Sequence, residues 1–147
     1  MSALAEEIGA NAAAESPLWA SARRSDAAFD PIFSRLAATE YALALETIYE
    51  GYLLHYGASR LFAPPDRDAG LLLGDALYAQ GLVHLAALGD AGAVRELAEL
   101  ISLCAQQRGD GLDGDGEAWA DTAARLGGDG DEQARNIALA AHACLLG

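Results

Sequence analysis

The sequence predicts an all-α protein, a single-domain helical bundle of about six helices. Three observations predict it. The chain is rich in alanine and poor in β-branched residues, a composition that favours helix. Apolar residues recur three and four positions apart, as in Tyr41, Leu45, Ile48, Tyr52 and His55, and so share one helix face. No stretch alternates apolar and polar residues in the manner of a strand. The 147 residues fit one domain, 1–147, with room for a real core.

Residues 1–30 read as an N-terminal arm. A short helix over 3–14 carries Leu4 and Ile8 on one side, Ser16-Pro17 interrupts it, and Trp19 and Phe29 fold the arm onto the body. Asp30 and Pro31 suit the cap and first turn of a helix that continues to about Phe62, weakened at Gly51 and Gly57 and stopped by Ala63-Pro64-Pro65-Asp66. The next helix starts near Asp68. Its Gly70, Gly74, Leu77 and Gly81 form one stripe. A helical glycine costs about 0.8–1.0 kcal/mol relative to alanine, so the repetition predicts a neighbouring helix in close approach. Asp75 reads as an exposed or first-turn carboxylate, or as a buried acceptor tying two helices together.

Gly89-Asp90 breaks the chain, and Asp90 caps a helix with Val94, Leu97, Ile101 and Cys104 inward and Arg108-Gly109 at its end. Residues 109–116 read as a flexible acidic loop. A short helix follows from about Glu117 to Leu126. Asp131 then caps a last helix with Ile137, Ala141, Cys144 and Leu145 inward.

Charge restricts the partners. The net charge is −13 and all nine cations are arginine, which argues against nucleic acid and anionic membrane surfaces. No run approaches the ~20 apolar residues of a membrane span. The N-terminus lacks the pattern of a secretion signal, so the expected location is cytoplasmic. Cys104 and Cys144 read as small buried hydrophobes in a reducing compartment, with no zinc spacing.

Few constellations point to chemistry. Asp113, Asp115 and Glu117 alternate like calcium ligands, but Ala118 and Ala124 stand where an EF-hand needs glycine and glutamate. Glu46 and Glu50, four apart on one face, form a candidate pair for a divalent metal, with Arg35 and Arg60 within reach. They read equally as an ordinary charged stripe. His55 lies on the apolar face of its helix, and His84 and His142 are scattered. There is no nucleophile elbow, Walker loop or dinucleotide fingerprint.

The segment LLLGDALYAQGLVHLAALGDAGAVRELAELI, 71–101, resembles the trans-polyprenyl diphosphate synthases through Leu73, Gly74, Asp75, Leu77, Gly81 and Leu85. The resemblance implies the N-terminal half of an isoprenoid synthase fold, all-helical around an apolar cavity. Family members use magnesium held by two aspartate-rich motifs. An ungapped alignment puts the first motif on Glu46-Thr47-Ile48-Tyr49-Glu50, with its central carboxylate lost; a gapped one puts it on Pro64-Pro65-Asp66-Arg67-Asp68. The arginine pair after the motif is missing, and the chain stops before the second motif. The resemblance therefore implies a non-catalytic small subunit or pseudoenzyme, forming a homodimer or a heteromer with a catalytic prenyl synthase subunit. It would help shape an apolar cavity for an isoprenoid ligand. Tyr49, Tyr52, His55, Tyr56, Asp75 and Tyr78 would line that cavity. No cofactor is expected, and magnesium only if Glu46 and Glu50 are a residual, vestigial metal site. Two other readings compete. One is a HEAT-like interaction scaffold, because Leu126-Gly127-Gly128-Asp129 echoes Leu88-Gly89-Asp90 near that repeat's period. The other is a small helical metal-dependent enzyme using Glu46, Glu50 and His55.

Overall fold

A computed structural model describes residues 3–25, 27, 29–128 and 130–146. Among these residues it is all-helical, with seven α-helices: α1 Ala3–Glu15, α2 Pro17–Ala22, α3 Ala42–Tyr56, α4 Arg67–Ala87, α5 Ala91–Gly109, α6 Asp115–Ala124 and α7 Glu132–Leu146. Two short 3-10 turns, Phe33–Leu36 and Thr39–Tyr41, precede α3. The only β-type pairing among the described residues is an isolated antiparallel bridge between Arg23 and Phe62. No helix there is long and apolar enough to cross a membrane.

Helix α3 is the central rod. Leu45, Ile48, Tyr49, Tyr52 and Leu53 are all at most 1% exposed. On one side they join a core built with Phe33, Leu97, Cys104, Trp119 and Ala123 from the surrounding elements. A second core lies under the arm, where Ala5, Ile8 and Ala12 of α1 meet Leu61, Phe62, Leu73 and Leu77. Trp19 and Phe29 are half-buried against it. Arg24 N–H donates to the Leu61 carbonyl and Ala63 N–H to that of Ala22, while Arg23 pairs with Glu6 at 2.8 Å. The arm is thereby fastened to the body.

Capping follows the sequence at Asp90, whereas Asp66, which reads only as part of a stop, turns out to be a cap as well. Asp66 accepts from Ala69 N–H at 2.8 Å to start α4, and Asp90 accepts from Ala93 N–H at 2.9 Å to start α5. Ser16 and Pro17, expected only to punctuate, instead serve as the cap and first residue of α2.

Four expectations are corrected. No helix starts at Pro31. Ile32 and Ser34 give their N–H groups to the buried Glu46 carboxylate, and the chain makes 3-10 turns until Ala42. The inward face of α5 is Ala93, Leu97, Leu100 and Cys104, leaving Val94 and Ile101 half-buried. In α7, Ala138 and His142 point inward, while Ile137 and Cys144 are exposed, because the His142 ring bonds to Tyr49 in the core. Asp115 lies not in a solvated loop but buried at the start of α6. The two-turn echo survives as backbone geometry only: Gly89 and Gly127 both have left-handed φ, +77° and +81°. Asp129, the last residue of that echo, lies outside the described residues.

Candidate functional site

The carboxylates singled out in the sequence do share a face of α3, and both are fully buried. The segment after α3 turns back to lay Arg60 between them. Arg60 Nε donates to Glu50 Oε2 at 2.9 Å and Nη2 to Glu46 Oε1 at 3.1 Å. The remaining oxygens are also taken. Glu46 Oε2 accepts from the N–H groups of Ile32 and Ser34, each at 3.1 Å. Glu50 Oε1 accepts from Arg60 N–H at 2.7 Å, from Leu61 N–H at 3.0 Å and from the Ser59 hydroxyl. Phe29 stacks under the guanidinium, 3.9 Å from ring centroid to Cζ.

This is a clamp joining three segments of chain around one arginine, not an open pair of metal ligands. Magnesium requires accessible oxygens and room for its waters; every oxygen here is already bonded, and Arg60 stands where the ion would sit. The pair does not fit the metal-site expectation. His55, its proposed companion, points elsewhere, and among the described residues no three His, Cys, Asp or Glu side chains gather as a metal site. Arg35 borders a cavity instead of reaching Glu46 or Glu50. In the gapped alternative, Asp66 is spent capping α4.

The glycine stripe of α4 meets α3 as expected at two of its three glycines. A β-carbon on Gly81 would come within 2.3 Å of Ile48 and 3.1 Å of the Ala44 carbonyl; one on Gly74 would come within 3.1 Å of the Gly51 carbonyl. Gly70 packs on Pro64 instead. Asp75, though exposed, does join the two helices, its Oδ1 lying 3.0 Å from His55 Nε2. The His55 ring stacks on Tyr78 at 5.2 Å. An apolar cavity between these two rods is therefore ruled out by contact. Tyr49 and Tyr52 fill the core, and His55, Tyr56 and Tyr78 fill the seam. Among the described residues, none of these five borders either of the two larger cavities.

A second polar cluster, missed in the sequence, lies at the junction of α3, α5, α6 and α7. Asp115 Oδ2 accepts from the Tyr52 hydroxyl at 2.5 Å and from Arg108 Nε at 2.8 Å, and Arg108 Nη2 donates to the Tyr52 oxygen at 3.0 Å. Beside it, Tyr49 Oη lies 2.7 Å from His142 Nδ1. The rings of Phe33, Tyr49, Tyr52, Trp119 and His142 pack around one another with centroids 5.1–5.9 Å apart. The available signal was Gly114-Asp115 just ahead of Glu117-Ala118-Trp119, a turn glycine and an acid leading into an apolar run.

Burial dominates the proton chemistry. It raises the Tyr49 and Tyr52 phenols, the second helped by its bond to Asp115, so both remain protonated donors. It lowers His142, leaving that imidazole neutral at pH 7. It pushes the Cys104 thiol up to about 12, away from thiolate chemistry. No activated nucleophile emerges from either cluster.

No family model matches the chain, and neither curated proteins nor solved structures give a match.

Two larger cavities complete the picture. One, about 570 Å³, lies between the Phe29–Ile32 segment, Arg35, Arg60 and the Ala138 side of α7, and is mostly apolar. The other, about 560 Å³, lies between residues 111–117 and the outer side of α7, against the second polar cluster.

Proposed function

We propose that this chain is a non-catalytic, prenyl-synthase-like helical subunit that acts with a partner and presents an apolar cavity. One observation carries the reading. Where the resemblance puts the first metal-binding motif, Glu46 and Glu50 are sealed inside and bonded to Arg60. Ionising a diphosphate needs metal and cations at the leaving group, and this arrangement keeps the helical scaffold while closing that chemistry off.

The outer face of α4 supports a partner. Leu72, Ala76, Ala79, Val83 and Ala86 follow one another at spacings of four and three, the seam pattern of paired helices. Leu72 is 61% and Val83 65% exposed. The apolar ligand of such a subunit belongs in the 570 Å³ cavity beside Phe29 and Ile32, not between α3 and α4. The unpaired Cys104 and Cys144 accord with a cytoplasmic setting. A HEAT-like scaffold has less support, since buried residues of α3, α5, α6 and α7 share one core.

Incubating the isolated chain with allylic and isopentenyl diphosphates and magnesium tests the first half; no product is expected, and steady product formation overturns the reading. Light scattering tests the second. A dimer, or a heteromer with a co-expressed catalytic prenyl synthase subunit, is expected, and Leu72→Glu with Val83→Glu should dissociate it while leaving helical content unchanged.

A further inference from the structure

The seam that α4 turns away from the body is symmetric in side-chain size. Ala69, Leu72, Ala76, Ala79, Val83 and Ala86 follow one another at spacings of three and four, and run small, large, small, small, large, small. The order is the same read from either end, about the point midway between Leu77 and Tyr78. Leu72, Ala79, Val83 and Ala86 are exposed, and Ala69 and Ala76 are half-buried. Among the described residues, Leu18, Val83 and Leu72 are the most exposed large hydrophobics, at 70%, 65% and 61%. Two of them lie in the seam, and Leu18 borders the same hollow as Leu72.

A hollow flanks each end of the seam. Near its start, Leu18, Trp19, Pro64, Ala69 and Leu72 border one of about 260 Å³. Near its end, Glu15, Ala76, Ala79, Gln80 and Val83 border one of about 360 Å³. Each bulky seam residue therefore stands beside a depression. A rotation of 180° about the midpoint carries Leu72 onto the level of Val83, so the knob at one end faces the hollow at the other. This surface is complementary to itself.

We infer that two copies of this chain pair antiparallel along α4, about a two-fold axis through the midpoint of the seam. Ala69 then meets Ala86 of the second copy, Leu72 meets Val83, and Ala76 meets Ala79. One patch is used twice, as a two-fold interface requires. The alanine layers let the helix axes approach to about 8 Å, the near end of helix packing distances. Charge selects the direction. Asp66 and Asp68 stand exposed at the start of α4. Parallel pairing would gather both copies of them at one end, whereas antiparallel pairing holds the two Asp68 residues roughly 28 Å apart at ~1.5 Å per residue. Glu15 and Asp75 still edge the seam and each copy carries −13, so the pair forms against a repulsion that salt screens. A face about 30 Å long and about two helix widths across buries about 1,200 Å² over both copies, the lower limit of specific interfaces. The dimer is therefore weak, with a Kd on the order of 10 µM. The inference rests on the partner face assigned above and makes that partner a second copy.

Sedimentation velocity of the full chain tests the association, and disulfide trapping tests its geometry. The chain should pass from monomer to dimer as its concentration rises through the Kd. Raising salt from about 0.05 to about 0.5 M should tighten the dimer roughly threefold. For trapping, the exposed Cys144 is first changed to serine, leaving only the buried Cys104. Leu72→Cys and Val83→Cys are then made as separate chains carrying different tags. Antiparallel pairing sets two copies of position 72 roughly 16 Å apart, beyond the ~7 Å between Cα atoms that a disulfide spans. The mixed product should therefore form roughly tenfold faster than either chain links to itself. Both positions are exposed, so both variants should keep the parent's circular dichroism. Self-linking of Leu72→Cys as fast as the mixed product, a dimer that weakens with salt, or a chain still monomeric well above about 10 µM would each overturn the inference. So would a monomer that instead binds a basic leucine-lysine amphipathic peptide through α4, which would give the face to a cationic partner. A strictly monomeric chain leaves the heteromer reading standing, and product formation by the isolated chain removes that reading without touching the pairing, so the two failures are distinguishable.

Discussion

Gly51 and Gly74 face one another where α3 crosses α4, so closely that a β-carbon on Gly51 would lie 2.8 Å from the Gly74 carbonyl oxygen. Backbone cannot yield as a side chain can. Alanine at Gly51 should therefore destabilise the protein by about 1–3 kcal/mol, the usual cost of overpacking, despite alanine's better helix propensity. Gly81→Ala, set against Ile48 and the Ala44 carbonyl, should behave likewise. Gly109→Ala is the control: nothing lies within 4 Å of its β-carbon, and stability should stay at or above that of the parent. Urea midpoints at constant slope measure all three.

The Arg60 clamp should prove the most sensitive side-chain site. Arg60→Met leaves Glu46 and Glu50 buried without a cation, and should cost about 3–5 kcal/mol. Buried ion triads in other settings can be exchanged for apolar residues at little cost. Here the joint replacement Glu46→Leu, Glu50→Met, Arg60→Leu should remain destabilised, because the N–H groups of Ile32, Ser34, Arg60 and Leu61 would lose their acceptors. Chemical denaturation of the two variants decides it; a triple variant as stable as the parent would show that those amides find other partners.

The same clamp shows why the sequence was readable in some places and not in others. Signals within one turn of helix were legible: Asp90 as a cap, the glycine stripe of α4, the run of α3. What failed depended on a partner far along the chain. Pro31 has the right chemistry to open a helix, but Glu46, more than a dozen residues later, takes the Ile32 and Ser34 amides and bends the segment. The phase of α7 departs from its apolar pattern because, although Ile137 is more apolar than His142, the histidine goes inside to bond with Tyr49. Asp115 looked like one more acid in an acidic loop until Tyr52 and Arg108 arrived from α3 and α5.

His142 should give the protein an acid-side sensitivity. Its ring is held below the ordinary histidine value of about 6.5 by burial. The unfolded chain therefore binds the proton more readily, and stability falls as pH drops below that ordinary value towards the folded one. In His142→Gln the stability lost between pH 7 and 5 should be smaller than in the parent. An NMR titration of the His142 ring should show its midpoint below 6.5; a midpoint at or above that value would remove the effect.

The alkaline side should be governed by tyrosine. All five phenols are raised above 10. Tyr41 reaches about 12 chiefly through its 2.5 Å hydrogen bond to Asp90, the others first through burial. A phenol raised in the folded state is protonated there while the unfolded chain ionises, so its contribution to stability is full below pH 10 and declines as pH climbs past it. Phenolate absorbance at 295 nm should consequently lag behind that of free tyrosine and rise together with the loss of helix. Asp90→Asn should separate the two events: Tyr41 loses its anionic acceptor and ionises near pH 10, ahead of unfolding, while the four other phenols stay silent. Ionisation of all five near pH 10 with helix retained would mean that the core admits hydroxide freely, contrary to the burial of Tyr49 and Tyr52.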